Sequence, residues 1–394
     1  MDKVKYLIIG NGIAGFAAAK EIRNNDNTGS LLMVSAEPYL TYYRVKLTDC
    51  LVKSTTIDDI LVNKESWYKE KNINVLLSKM VEKIDVDNNK IILEDLHEIE
   101  YEKLLIASGA TPFIPPITGK NKRGVFALRT LDDLNNIQEY FGEIDSVTVI
   151  GGGLLGLEAA WELKQSGKKV KVVEFAPYLL PRQLDRELGD KLERMLIDEG
   201  IDIITSSSAM EILGDEKVEG VRLTGGRVID TEGILISSGI RPNLGIMNGT
   251  PVKVNKGILV DKYLKTNIDN IYAAGDVVEV NNMIIGLWTS GNEQGKIAGA
   301  NMCGKEMEYT MPKLFSTLDI GNIKVFSVGN IEKYERVYEF RDERNNIHHK
   351  LFTNDGKISG VILFGEIKQM AALKKAVINN SDIEEISKFG IPFK

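Results

Sequence analysis

The residues of this chain best suited to chemistry lie at two glycine-rich turns. Gly10-Asn11-Gly12-Ile13-Ala14-Gly15 and Gly151-Gly152-Gly153-Leu154-Leu155-Gly156 share the spacing G-x-G-x-x-G. In that spacing the first glycine permits a tight turn. The second lets a pyrophosphate approach the backbone, and the third lets a helix pack closely on a strand. Each turn has a carboxylate downstream: Glu37 lies 22 residues past Gly15, and Glu174 lies 18 residues past Gly156. An acid at that distance accepts hydrogen bonds from the ribose hydroxyls of a dinucleotide. At the second turn it also repels a 2′-phosphate, and the residues that follow, Phe175, Ala176 and Pro177, include no arginine. That favours NADH over NADPH. One such turn is a weak signal, but two imply two different dinucleotides. One is then a tightly held redox cofactor and the other diffusible, so that electrons can pass between them.

The elements needed to hold these turns are legible around them. Val4 to Ile9 reads as a strand of the kind buried in a parallel sheet, Phe16 to Ile22 as a helix and Ser30 to Val34 as the next strand. The pattern recurs with Ser146 to Ile150, Leu157 to Gln165 and Lys169 to Val173. From Met311 onward, Lys324 to Val328, Val337 to Phe340 and Gly360 to Gly365 read as strands, and Ile367 to Ile378 as an amphipathic helix. The fold class is α/β, with two Rossmann-like dinucleotide-binding domains and a small C-terminal α/β domain.

Composition narrows the function classes. A chain of 394 residues points to two or three domains. A formal net charge of -7 argues against a nucleic-acid or anionic-membrane partner. Two distant cysteines, Cys50 and Cys303, imply no disulfide framework and a reducing compartment. His97, His348 and His349 show no metal-ligand spacing, so no metal is expected. The first apolar run is too short for a signal-peptide core, and no stretch reaches membrane-span length. The expected location is cytoplasmic.

Three further motifs carry a family resemblance. Tyr101-Glu102-Lys103-Leu104-Leu105-Ile106-Ala107-Ser108-Gly109-Ala110-Thr111-Pro112 resembles the strand-to-linker motif of FAD/NAD-linked disulfide reductases, a glutathione-reductase-like family. Ile234 to Asn243 resembles the return linker, and Asn270-Ile271-Tyr272-Ala273-Ala274-Gly275-Asp276-Val277 the second FAD motif. The resemblance covers about residues 1–310. It implies an FAD domain from 1–111 and 240–310, an NAD domain from 112–239 and a C-terminal domain from 311–394. It also implies FAD contacts at Gly10, Gly12, Ala14, Gly15, Glu37, Arg44, Val81, Ala107, Ser108, Gly109, Asp276, Trp288 and Gln294. Asp276 would hydrogen-bond the ribityl and phosphate portion. NAD contacts are implied at Gly151, Gly153, Leu155, Gly156, Glu174 and Gly239.

The branch within the family is read partly from absences. There is no Cys-x-x-x-x-Cys pair beside the flavin and no C-terminal His-Glu base pair. Cys50 falls several residues late for a single flavin-side cysteine, and Leu51 stands where a glycine would follow; it reads as a small buried hydrophobe, and Cys303 reads as structural too. The segment Tyr39-Leu40-Thr41-Tyr42-Tyr43-Arg44-Val45-Lys46-Leu47-Thr48 is similar to the Tyr-x-(Lys/Arg)-Pro-x-Leu-Ser segment of NADH:rubredoxin reductases and of the flavin half of assimilatory nitrite reductases, with Val45 in place of the proline. The resemblance puts a cation near the flavin's reactive edge, Arg44 first and Lys46 second, where it would stabilise anionic reduced flavin. Gly286 to Lys296 resembles the family's Trp-x-x-Ala-x-Glu-Gln-Gly helix start, whose N-terminus faces the flavin's pyrimidine carbonyl. Glu158 matches a family glutamate that approaches the nicotinamide. The implied activity is hydride transfer from NADH to FAD, followed by electron transfer to a small external redox protein, rubredoxin by resemblance. The alternatives are an NADH oxidase or peroxidase, the flavin module of a larger nitrite reductase system, and a flavoprotein that senses NADH by changing partners.

Overall fold

The computed structural model describes residues 3–393. By packing, the chain groups into two units. The first takes residues 1–47, 54–113 and 239–312, and the second 48–53, 114–238 and 313–394. Sequence points to three pieces; packing places the C-terminal region in one unit with the second glycine turn, and assigns Thr48–Lys53 to that unit as well.

The first unit is built on a seven-stranded sheet. Its order is Asn74–Leu76, Leu31–Val34, Lys3–Ile9, Glu98–Ile106, Lys90–Leu93, Val81–Asp85, and Ile271–Ala273 also pairs with Glu98–Ile106. The pairs around Lys3–Ile9 are parallel. This strand is apolar on both faces because both faces are covered. Leu7 and Ile9 enter a cluster with Val34 and Ile106, whereas Tyr6 and Ile8 enter another with Phe16, Ala18 and Ala19 of the helix Ile13–Asn25. That helix packs on the helix Trp288–Met302 at backbone distance: a Cβ on Gly295 would meet the Ala14 carbonyl oxygen at 2.1 Å, and one on Gly299 the Ala18 oxygen at 2.6 Å. Glycines four apart on one helix face make that approach possible.

In the second unit a five-stranded parallel sheet runs Asp202–Ile204, Lys169–Val173, Ser146–Ile150, Gly233–Ile236, Val125–Phe126. A separate five-stranded antiparallel sheet runs Phe315–Ile320, Ile323–Gly329, Lys357–Phe364, Ile347–Asn354, Arg336–Asp342. Leu373, Ala376 and Val377 of the helix Met370–Ile378 cover it through Phe326, Val361 and Leu363. Two of these strands, Phe315–Ile320 and Ile347–Asn354, are not read from the sequence. The helix begins at Met370 rather than Ile367. Ile347–Asn354 hides its period because His348, His349 and Lys350 are all buried. Among the described residues no helix is long and apolar enough to cross a membrane.

Candidate nucleotide-binding edges

In the first unit, strand register brings four loops to one edge. Ile9 pairs with both Val34 and Ile106, and Ile106 also pairs with Ala273. The chain therefore leaves the sheet at the same level at Gly10, Ser35, Ala107 and Ala274. Those loops carry Gly12, Glu37, Ser108 and Asp276. Ligands of parallel α/β sheets bind at this carboxyl edge. The second unit repeats the construction, with Ile150 paired to Val173 and Ile236, so that Gly151, Glu174 and Ser237 emerge together.

The two glycine turns match closely in detail. Gly10 N–H donates to the Val34 oxygen and Gly151 N–H to the Val173 oxygen, both at 2.8 Å. Their φ angles are +108° and +114°, values that side chains rarely adopt. A Cβ on Gly15 would lie 2.1 Å from the Gly10 oxygen, and one on Gly156 2.0 Å from the Gly151 oxygen. The middle glycines differ. A Cβ on Gly12 or Gly153 would meet nothing within 4 Å, and each precedes a helix with no side-chain cap. Open space before an uncapped helix N-terminus fits a pyrophosphate, which the terminal N–H groups and the helix dipole would hold. Ala14 and Leu155 are the second residues of their helices, which begin inside the turns at Ile13 and Leu154.

The carboxylates are prepared differently. Glu37 accepts from Arg44 Nη2 at 2.6 Å through one oxygen and from Tyr42 Oη at 2.6 Å through the other. Arg44 also lies over the Tyr42 ring at 4.8 Å. Burial opposes its charge, but Tyr42, Glu37 and Asp276 more than compensate and raise its pKa. Arg44 thus hydrogen-bonds the acid expected at the ribose and feels the charge of the aspartate expected at the phosphate portion. Lys46 instead lies over the Tyr43 ring at 5.1 Å, and Tyr43 stacks on Trp288 at 5.6 Å. Of the two cations, Lys46 is on the Trp288 side. Trp288 starts the helix Trp288–Met302, and its Nε1 is buried with no partner among the described residues. That orphaned donor beside another uncapped N-terminus fits an acceptor-rich ligand ring.

The remaining residues expected at the FAD site have these surroundings. Gln294 is buried and accepts from Gly275 N–H at 2.7 Å, so it orients the turn that carries Asp276. Val81 places an apolar side chain in the core beside its strand partner Leu93. Ala107 N–H donates to the Ile9 oxygen at 2.8 Å, and Gly109 turns with a φ of +69°. Asn243, not picked as a site residue from sequence, spans Ser108 and Gly109: its amide donates to the Ser108 oxygen at 2.8 Å and its N–H to the Gly109 oxygen at 3.0 Å. Asn11 was likewise missed. It donates to the Tyr39 oxygen and accepts from Thr41, tying the first turn to the segment that carries Arg44. The only sequence signal was an amide side chain at a variable position of the turn.

In the second unit Glu174 accepts from Gly152 N–H at 2.5 Å and from Ala176 N–H at 2.7 Å. Each carboxylate oxygen retains capacity for a ribose hydroxyl. Gly239, with φ +96°, has open space where a Cβ would lie. Glu158 is half-buried on the helix Leu154–Gln165, and burial together with Asp49 pushes its carboxyl up to about 7. The segment bearing Asp49 is pinned by Gln138, whose amide donates to the Cys50 and Lys53 oxygens at 2.7 and 2.9 Å. Cys50 is buried and Cys303 half-buried, and both are unpaired thiols.

Comparison with known proteins agrees with this geometry. The family signature described as pyridine nucleotide-disulphide oxidoreductase matches residues 4–295, and that of the rubredoxin NAD+ reductase C-terminal domain matches 315–381. The chain is 36% identical to the NAD(P)H nitrite reductase of Bacillus subtilis, over 99% of this chain and 49% of that protein. It is 33% identical to the NADH-rubredoxin oxidoreductase of Clostridium acetobutylicum, over 98% of each. The crystal structure of NADH:rubredoxin oxidoreductase from Clostridium acetobutylicum superposes with a TM-score of 0.84 at 32% identity, covering 98% of this chain and 97% of that one. The chain thus spans about half the length of the nitrite reductase and nearly all of the rubredoxin oxidoreductase. With two dinucleotide-shaped edges, and with its first 295 residues matched almost throughout, the chain belongs to the pyridine nucleotide-disulphide oxidoreductase family.

Proposed function

We propose that the chain is an NADH-dependent flavoprotein reductase that passes electrons to a small external redox protein, with rubredoxin as the acceptor. The observation that carries this reading is the duplicated edge: two register-matched glycine turns, each before an uncapped helix and beside a carboxylate, in one chain. FAD, held at the first edge, supplies a centre that takes two electrons as hydride and can release them singly. The protein's share is binding and electrostatics. Gly10–Gly15 and the helix behind them hold the pyrophosphate, Arg44 offsets negative charge between Glu37 and Asp276, and Lys46 with Tyr43 and Trp288 forms the cationic, aromatic side of the site. At the second edge Gly151–Gly156 and Glu174 hold NADH. The match of residues 315–381 to a rubredoxin NAD+ reductase C-terminal domain, and the near-complete coverage of a rubredoxin oxidoreductase, support the acceptor.

A second reading has its own support. Coverage of about half of a nitrite reductase fits the flavin module of a larger electron-transfer system. Anaerobic stopped-flow absorbance tests the acceptor of the first reading. NADH should bleach the flavin rapidly, and oxidised rubredoxin should restore it rapidly, while air-saturated buffer and peroxide restore it slowly. Fast reoxidation by oxygen or peroxide with rubredoxin inert would replace this reading with an oxidase.

A further inference from the structure

Asn11 stands between the first two glycines of the first turn, at a position where the turn itself requires no particular side chain. Its amide is nonetheless engaged at both ends. The nitrogen donates to the Tyr39 oxygen at 3.1 Å, and the oxygen accepts from Thr41 Oγ1 at 2.5 Å. A backbone carbonyl can only accept, so the amide has one orientation. The Thr41 hydroxyl is then left to accept from Tyr68 Oη at 2.9 Å. Thr41 and Tyr68 are both buried, so removing one member of this chain leaves a polar group without its partner. A single side chain of the glycine turn thus holds residues 39 and 41 together.

The cation segment follows directly. Val62 N–H donates to the Thr41 oxygen and Tyr43 N–H to the Ile60 oxygen, both at 2.8 Å. The chain then winds into the 3-10 turn Arg44–Lys46. Lys46 is exposed, with its ammonium over the Tyr43 ring, which stacks on Trp288. Val45 inside the turn is exposed as well and does not lock φ as a proline would. The place of the Lys46 ammonium is therefore set from upstream, by the anchors on residues 39–43. Among these anchors, Asn11 is the one that belongs to the glycine turn.

We infer that Asn11 is a positioning residue: by anchoring Tyr39 and Thr41 it sets where the Lys46 ammonium stands beside the flavin, and so sets the flavin's reduction potential. This rests on the reading of the first edge as the FAD site, with Lys46, Tyr43 and Trp288 as its cationic, aromatic side. A cation held close favours the negative charge that reduction adds, and its attraction fades as it drifts into water. The turn that receives the pyrophosphate thereby also holds the group that tunes the ring.

The test is an anaerobic potentiometric titration of the FAD-loaded protein, read by flavin absorbance. Asn11→Ala should lower the potential by about 30 mV, which for a two-electron couple is tenfold in equilibrium constant. Thr41→Val, which leaves the glycine turn untouched, should shift it in the same direction, and Thr41→Ser should restore it. Lys46→Met should lower it at least as far, and adding Asn11→Ala to Lys46→Met should change nothing more. An unchanged potential in Asn11→Ala and Thr41→Val would overturn the inference. So would a shift that persists in the Lys46→Met background, or loss of FAD from both variants, which would make the network a matter of cofactor retention alone. A wild-type protein that holds no FAD would instead overturn the reading of the first edge, and the inference with it. Bound FAD that NADH fails to reduce would overturn the NADH reading, while the potentials would still decide the role of Asn11.

Discussion

At the scale of single residues, the most unusual acid at either edge is Glu158. Burial and the neighbouring Asp49 raise its carboxyl to about 7, against an ordinary value of about 4.3. It is therefore neutral below about 7 and charged above. NADH carries a negative pyrophosphate, so a charged Glu158 disfavours its approach. NADH affinity should fall a few-fold between about pH 6 and about pH 8, and Glu158→Gln should hold the low-pH affinity throughout. A wild-type profile without a transition near 7, or one that survives in the variant, would remove Glu158 from this role. The same scale shows how cations close in sequence take different surroundings. Sequence resemblance put Arg44 first among the cations for the flavin's reactive edge. The structure pairs it with Glu37, and Lys46 joins the Tyr43 and Trp288 stack instead. Two residues apart in sequence, the two cations are the first and last residues of the 3-10 turn Arg44–Lys46 and go to different partners.

Elements were more legible than their partners. Both glycine turns, the strands entering them and the helices leaving them stand where apolar runs and glycine spacing place them. Local pattern is sufficient there because the turn, strand and helix are contiguous in sequence. The helices begin earlier than read, at Ile13 and Leu154, because a glycine carries no capping side chain to mark the start. Asn243 was not legible as a site residue, since its partner Ser108 is 135 residues away. The glycines also divide into two kinds that sequence does not distinguish. Gly12 has ordinary φ and open space, so Gly12→Ala should leave the fold's stability unchanged yet weaken FAD retention. The loss of one charge-assisted hydrogen bond, about 1.5–3 kcal/mol, corresponds to roughly tenfold or more. Gly295→Ala drives a methyl onto the Ala14 carbonyl and should cost about 1–3 kcal/mol in thermal unfolding. Equal melting losses in the two variants would show that the distinction is wrong.

At the scale of the whole chain, the C-terminal sheet is held by buried polar groups as well as by its apolar core. Lys350, nearly buried, places its ammonium 2.6 Å from both Asp185 and Glu187, with Glu339 at 3.4 Å. Asp185 also caps the helix Arg186–Asp198, so one residue serves both the helix and the lysine. Removing one partner from a buried set of charges is costlier than the set's net contribution. Next to Lys350, His349 accepts from Phe364 N–H at 3.3 Å, and burial lowers its pKa to about 4. The unfolded chain takes up a proton at His349 below about 6.5, whereas the folded sheet refuses it until about 4. Stability is therefore complete above about 6.5 and falls as the pH drops through this window, by on the order of 3 kcal/mol. Denaturant melts at about pH 7 and about pH 4.5 should show this loss in the wild type and a smaller one in His349→Asn. Equal losses would place the acid sensitivity elsewhere.

The ribbon formed by Ala110–Pro112 and Ile240–Pro242 has a consequence for how the chain tolerates change. Pro112 pairs with Ile240, and Phe113 N–H donates to the Gly239 oxygen at 2.8 Å. Residues 114–238 thus leave and re-enter the first unit through a doorway already bolted shut by hydrogen bonds. The entropy of closing that long excursion is met at its threshold, and it grows only slowly with the length of what lies beyond. The hydrogen bonds of the ribbon lie within the first unit, so the length of the excursion bears on them only through that slowly growing cost of closure.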